Sequence, residues 1–220
     1  MATVSLALPV YNGECFLSEC LDSILAQTFE DFELLVSDNA STDATYDICL
    51  EYARRDSRIR VLRQSRNIGA AANFNVLFEE GRAPYFKWCA HDDLLEPRYL
   101  ASVYDRLKAD PGAVLAHSHT RVVDVSAKRE HVFVPPFEMQ EGDPAARLRQ
   151  FLSHEQKCYE VFGLIRSDVL ARTQLIGNYR GGDNVLLARL ALLGPFRFVP
   201  EPLFVLRRHA AQSTELLKDT

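Results

Sequence analysis

Over residues 4–108 the chain alternates short apolar runs with segments of helical period, and this alternation restricts the fold more than any other feature. Val4-Ser5-Leu6-Ala7-Leu8-Pro9-Val10 is an apolar run closed by the turn residues Tyr11-Asn12-Gly13. Phe16, Leu17, Cys20, Leu21, Ile24 and Leu25 then recur at helical spacing, which predicts a helix over residues 14–27. Phe32-Glu33-Leu34-Leu35-Val36-Ser37 reads as a second strand, so the first two strands are parallel and joined by a right-handed crossover. The rhythm continues with a helix capped by Ser41 or Thr42, a strand at 59–62 and a helix at 70–80 closed by Gly81. A strand through Tyr85-Phe86-Lys87-Trp88-Cys89 and a helix at 97–108 complete it. The expected class is α/β: a Rossmann-like, doubly wound, mostly parallel sheet with helices on both faces.

Each strand of this half ends in polar residues: Tyr11-Asn12, Asp38-Asn39, Arg66-Asn67 and His91-Asp92-Asp93. In a parallel sheet those ends share one edge, where ligands of α/β folds bind. The adjacent carboxylates of Asp92 and Asp93 repel each other and need hydrogen-bond donors or a cation. A divalent metal carrying a phosphate would satisfy them; a solvated turn leading into the next helix is the simpler alternative. A net charge of −5 argues against a nucleic-acid partner held by a basic surface, so an anionic ligand must rely on a local site. No apolar run is long enough to span a membrane. Five scattered cysteines with no C-x-x-C read as reduced core residues of a cytoplasmic protein.

The second half is less regular. Strands are expected at 113–117 and 121–125, either side of His117-Ser118-His119, whose rings could bind zinc but have no matching ligand set. Residues 127–145 read as a long excursion of the kind that forms lids and substrate loops. A helix at 145–152, a strand at 161–166 and a short helix at 168–173 follow. Gly181-Gly182-Asp183 precedes a helix with Leu186, Leu187, Leu190 and Leu193 on one face. Asp183 there is either an N-cap or a functional carboxylate beside glycines that let a ligand approach the backbone. Strands at 196–199 and 203–206 lead to Arg207-Arg208-His209, basic residues suited to a phosphate or metal.

Five pieces in this order resemble the family 2 glycosyltransferases of GT-A fold: Leu8-Pro9-Val10-Tyr11-Asn12-Gly13-Glu14, Asp38-Asn39-Ala40-Ser41-Thr42-Asp43, Arg66-Asn67-Ile68-Gly69, His91-Asp92-Asp93 and Gly182-Asp183. The resemblance covers residues 3–214. It implies one glycosyltransferase domain over 1–220, with a nucleotide-sugar-binding half at about 3–110 and a smaller acceptor-binding, catalytic-base half at about 111–214. It implies a nucleotide site of Pro9, Tyr11, Asn12, Glu14, Asp38, Asn39, Arg66, Gly69 and Asp92. Pro9 and Tyr11 would wall the base, Asp38 would accept a base N–H (which favours uracil), and Asp92 would face the ribose. Asp93 would hold Mn2+ or Mg2+ on the diphosphate, with His209 as a further metal ligand, and Asp183 would be the catalytic base. His91 stands where the family's motif has its first aspartate, and its role is left open. Gly182 replaces a frequent Glu before the base.

These residue types suit the chemistry. An acceptor hydroxyl needs a carboxylate to take its proton, and a departing nucleoside diphosphate needs a hard cation. One displacement inverts the anomeric centre and requires no second carboxylate nucleophile. The expected activity is therefore inverting, metal-dependent transfer from a nucleotide sugar, UDP favoured, to a saccharide or lipid-linked acceptor of polysaccharide biosynthesis. The Q-x-x-R-W motif of processive synthases is absent, so a single transfer is expected. The enzyme would work in the cytoplasm or peripherally at the inner membrane face, with a partner subunit or homodimer completing a thin acceptor side. A catalytically silent nucleotide-sugar-binding or scaffold protein on the same fold is the alternative.

Overall fold

A computed structural model describes residues 2–139, 142–154 and 157–210; residues 211–214, the end of the expected acceptor-binding half, lie outside them. β1 (Val4–Val10), β2 (Phe32–Asp38), β3 (Ile59–Arg63) and β4 (Tyr85–Trp88) are parallel in the order β3-β2-β1-β4. Helices α1 (Glu14–Leu25), α2 (Thr45–Arg55) and α3 (Ala70–Glu80) connect them in the order expected. Every residue of β1 is buried, as the unbroken apolar run requires of a strand covered on both faces. Leu17, Leu21 and Ile24 of α1 close one face of the sheet, and Leu77 of α3 belongs to the core on the other.

The sheet continues past β4 through β8 (Leu164–Arg166), β6 (Leu115–Asp124), β9 (Phe196–Arg208) and the two-residue β5 (Leu94–Leu95), with β7 (Arg129–Phe133) paired outside β6. The remaining helices are α4 (Tyr99–Ala109), α5 (Pro144–Leu152), α6 (Ser167–Leu170) and α7 (Gly182–Leu193). β8 is antiparallel to both β4 and β6, so it welds the parallel half to the second half. No helix among the described residues is long and apolar enough to cross a membrane.

Several expectations for the second half need correction. The strands expected at 113–117 and 121–125 are one strand, β6, and those at 196–199 and 203–206 are one strand, β9. The two run parallel with a register shift between Ser118 and Thr120. Ser118 absorbs it: its hydroxyl accepts from the Phe204 N–H at 3.1 Å and donates to the His119 carbonyl at 2.8 Å. The polar residues that read as a break are thus the hydrogen-bond supply of a bulge. The excursion at 127–145 contains β7, which folds back on β6 as a hairpin. The strand expected at 161–166 begins as a 3-10 turn, Tyr159–Phe162, and becomes β8 only after Gly163, where a Cβ would sit 2.7 Å from the Ala116 carbonyl oxygen. α2 is not capped by Ser41 or Thr42; it starts at Thr45, whose N–H is taken by Asp43 Oδ1 at 3.0 Å.

His117 and His119 both pack near the ring of Phe198, with centroids at 6.2 and 5.2 Å, and no cluster of three metal-donor side chains occurs among the described residues. His117 is buried, and its Nδ1 lies 3.2 Å from the Ser118 carbonyl. Burial holds its pKa below the usual value, opposed by the charge of Glu160 and the Ser118 carbonyl. A folded pKa below the unfolded one, near 6.5, means the unfolded chain binds the extra proton first. That stabilisation is complete above about pH 6.5 and is lost as pH falls through the folded value. His117→Asn should therefore flatten the loss of stability between about pH 7 and pH 5, read from urea midpoints at the two pH values.

Candidate active site

The C-terminal ends of β1, β2, β3 and β4 lie along one edge because the four strands are parallel. Tyr11 follows buried Pro9 and Val10 and is 44% exposed at this edge. Asn12, with φ of +49°, is committed to structure: its N–H donates to Ser41 Oγ and its Oδ1 accepts from the Thr42 N–H, both at 2.9 Å. Glu14 Oε2 accepts from the Ala44 N–H at 2.9 Å, so Asn12 and Glu14 tie the loop after β1 to the loop after β2. Gly13 is buried between them, where a Cβ would stand 2.5 Å from His91 Cδ2. His91 therefore packs against the first loop, and burial depresses its pKa more than the neighbouring Asp92 charge raises it.

Asp38 is fully buried at the end of β2. Its Oδ1 accepts from the Ser41 N–H at 3.1 Å. Its Oδ2 has no hydrogen-bond partner, although Arg63 Nε faces it at 3.2 Å. Asn39 staples the third loop: Oδ1 accepts from the Ile68 N–H at 2.9 Å, and Nδ2 donates to Asn67 Oδ1 at 3.0 Å. Gly69 takes φ of +86° just before α3, a conformation that glycine adopts without strain. Arg66 is exposed on that loop.

The two aspartates after β4 point in different directions. Asp92 lies 3.0 Å from His209 Nε2 through its Oδ2. Asp93 is only 6% exposed and is turned into the interior, where Oδ1 accepts from the Arg207 N–H at 2.9 Å. It borders a small cavity shared with Cys20, Lys87 and Cys89. Burial, reinforced by the charge of Asp92, pushes the Asp93 pKa well above the carboxylate range, while Lys87 and Arg207 oppose the rise. Lys87 is itself wholly buried, donates to the Phe162 carbonyl, and sits over the rings of Tyr99 and Phe204 at 4.8 and 5.5 Å. The side chain beside His209 is thus Asp92, and Asp93 anchors the turn from below.

Arg207 also departs from its expected place near a phosphate. Its guanidinium donates to the Asp92 carbonyl, to Glu19 and to the Phe16 carbonyl, and lies 4.7 Å over the Phe16 ring. It latches the end of β9 to α1 and to the turn after β4, and this places His209 against Asp92. Arg208 instead reaches Tyr159 Oη at 3.2 Å. Cys158, immediately before that 3-10 turn, donates to Asn184 Oδ1 at 3.0 Å. The turn thereby bridges β9, which ends just before His209, and α7, whose first turn carries Asp183. Asp183 lies in the first turn of α7 after Gly181 and is not its N-cap; its Oδ1 accepts from the Asn184 N–H at 2.9 Å. None of these links has a local motif in the sequence, though a lysine inside an aromatic run signals a buried cation that needs partners.

The profile of Glycosyl transferase family 2 matches residues 5–173. The chain belongs to this family. Among its relatives is Glycosyltransferase GlyA of Streptococcus pneumoniae, 35% identical over 104 residues, or 47% of this chain and 15% of that protein. The Mycobacterium bovis protein Mb1547 is 31% identical over 215 residues, covering 96% of this chain and 59% of that protein. The fold is of GT-A type. A structure of S. aureus TarS residues 1–349 in complex with UDP-GlcNAc superposes with a TM-score of 0.77 at 16% identity, over 96% of this family 2 chain and 60% of that TarS chain. The mannosyltransferase PcManGT of Pyrobaculum calidifontis, in complex with GDP-Man and Mn2+, gives 0.68 at 17% identity, over 98% and 59%. The chain therefore spans less than two thirds of each of these relatives.

The latch makes a separable prediction for this family 2 member. Arg207→Met leaves the Asp92 and Phe16 carbonyls and the exposed Glu19 carboxylate without their guanidinium partner and should cost about 2–3 kcal/mol in urea denaturation. Glu19→Gln, at a side chain 68% exposed, should cost under about 1 kcal/mol.

Proposed function

We propose that this chain is an inverting, metal-dependent glycosyltransferase that moves a sugar from a UDP-sugar to an acceptor hydroxyl in a single transfer. The observation that carries the reading is the pairing of Asp92 with His209, brought together from 117 residues apart at the edge where the parallel strands end. A carboxylate and an imidazole at 3.0 Å are two of the donors a hard or borderline divalent cation accepts, and phosphate oxygens and water complete such sites. This donor set fits Mn2+ or Mg2+, with Asp92 and His209 as its holders in place of Asp93. When bound, the cation neutralises charge on the departing diphosphate.

The other roles follow from the placement of this chain's own groups. Asp38, whose Oδ2 makes no hydrogen bond but faces Arg63 Nε at 3.2 Å, is the acceptor assigned to a base N–H, and a uracil imide supplies one. Tyr11 offers its exposed ring to the base, Pro9 backs it, and the loop held by Asn39 brings Arg66 and Gly69 to the same edge. Asn12 and Glu14 shape the nucleotide site by bracing its loops. Asp183, at the start of α7, takes the proton from the acceptor hydroxyl as that oxygen attacks the anomeric carbon on the face opposite the leaving diphosphate.

Asp183→Asn should lower transfer by on the order of 100- to 10,000-fold while nucleotide binding survives. Near-normal turnover of the variant would remove Asp183 as the base. If the wild type itself binds nucleotide and turns over no donor, the catalytically silent alternative holds. A thermal-shift panel of UDP-, GDP- and dTDP-sugars with and without Mn2+ tests the donor class; about 2.7 kcal/mol of stabilisation is expected at 100-fold excess over Kd. The stabilisation should require Mn2+, favour UDP-sugars, and disappear in Asp92→Asn. If it instead persists in Asp92→Asn, the metal assignment fails.

A further inference from the structure

The sequence has 13 Phe, 8 Tyr and one Trp. Among these residues, all of them described, only two rings are exposed: Tyr11 at 44% and Tyr179 at 56%. Tyr11 lies on the nucleotide side. Tyr179 lies four residues before Asp183, in the turn that leads into α7.

That turn is built to hold its shape. Asn75 of α3 grips it from the sheet side, with Nδ2 donating to the Ile176 carbonyl at 2.9 Å and Oδ1 accepting from the Ile176 N–H at 3.1 Å. The Gly182 N–H donates to the Tyr179 carbonyl at 3.0 Å, and Gly181 has φ of +80°. Two glycines allow the close contacts. A Cβ on Gly182 would meet the Gly177 carbonyl oxygen at 2.3 Å, and a Cβ on Gly177 would meet Tyr179 Cε1 at 2.2 Å. The Tyr179 ring therefore rests against Gly177, which in turn rests against Gly182 at the first turn of α7, next to Asp183. One side of the ring is held by backbone while more than half of the residue faces solvent.

An aromatic ring kept exposed costs apolar hydration that burial would relieve, so a fixed, exposed ring beside the proton-accepting carboxylate has the form of a binding platform. Its π face is electron-rich. The face of a pyranose that carries axial C–H groups is weakly positive and flat, and stacks on such a ring; a flexible alkyl or polyol chain has no comparable face.

We infer that Tyr179 is the stacking platform of an acceptor subsite, and that the acceptor presents a pyranose ring to it. The inference rests on the transferase reading above and names the acceptor class for the same site. Tyr179 binds the acceptor and takes no part in proton transfer.

The test uses methyl pyranosides of glucose, galactose, mannose and N-acetylglucosamine at millimolar concentration, with UDP and Mn2+ present, read by saturation-transfer NMR. The wild type should transfer saturation to the C–H protons on one face of at least one pyranoside. Tyr179→Ala should weaken that binding by roughly 2- to 10-fold, and Tyr179→Phe should retain it. Gly177→Ala is a second, independent variant: its methyl displaces the ring tip with the tyrosine still present, so it should weaken binding as Tyr179→Ala does. All three variants should keep the wild-type thermal shift with UDP and Mn2+. Pyranoside binding unchanged in Tyr179→Ala overturns the inference. So does a wild type that binds none of the pyranosides, or one that binds only glycerol phosphate or a prenyl phosphate. A wild type with no UDP- and Mn2+-dependent thermal shift would instead overturn the donor-side reading, so the two failures are distinguishable.

Discussion

The site depends on one buried carboxylate. Asp93 is placed inside the protein, where its charge is costly, and the backbone N–H of Arg207 meets it at 2.9 Å. That single contact joins the turn after β4 to the end of β9, 114 residues later in the chain. The Arg207 side chain adds bonds to α1 and to the same turn from the other direction. Together they set His209 beside Asp92. The carboxylate pair that looks uncomfortable in the sequence resolves into one member that fastens the turn and one that pairs with His209.

A second constraint organises the second half of the chain. β6 and β9 run parallel over most of their lengths and can do so only because Ser118 supplies the hydrogen bonds of the register shift. The 3-10 turn at Tyr159–Phe162 then works as a spacer, touching Arg208 through Tyr159 and Asn184 through Cys158. α7 is thus referenced to the same strand that leads into His209. The two halves of the chain share a frame because β8 pairs with β4 on one side and β6 on the other.

How much of this is legible in the sequence depends on whether the interaction is local. The helices α1 and α3 and the strands β1 to β4 follow from periodicity and turn chemistry, since each apolar run or stripe must be buried wherever it lands. The loops after β1, β2 and β3 are legible as polar edges for the same reason. The second half is less so. Ser118 reads as a strand break by composition, yet a neighbouring strand turns its hydroxyl into a ladder partner. Lys87, inside an aromatic strand, finds the Phe162 carbonyl 75 residues away.

From residue order alone came the α/β class, the parallel edge, the resemblance to family 2 glycosyltransferases and the short roll of polar residues at the strand ends. Those rest on periodicity, handedness and spacing, which are properties of the chain itself. Only the tertiary structure decided which of Asp92 and Asp93 meets His209, that Arg207 is a latch and Arg208 a link to the 3-10 turn, and that Tyr179 stands exposed. Each depends on what a distant segment presents: a backbone N–H from β9, a carbonyl from α1, or a glycine with no Cβ to push a ring aside. Two adjacent aspartates have the same chemistry in a sequence, and it is the partner each one meets that separates them.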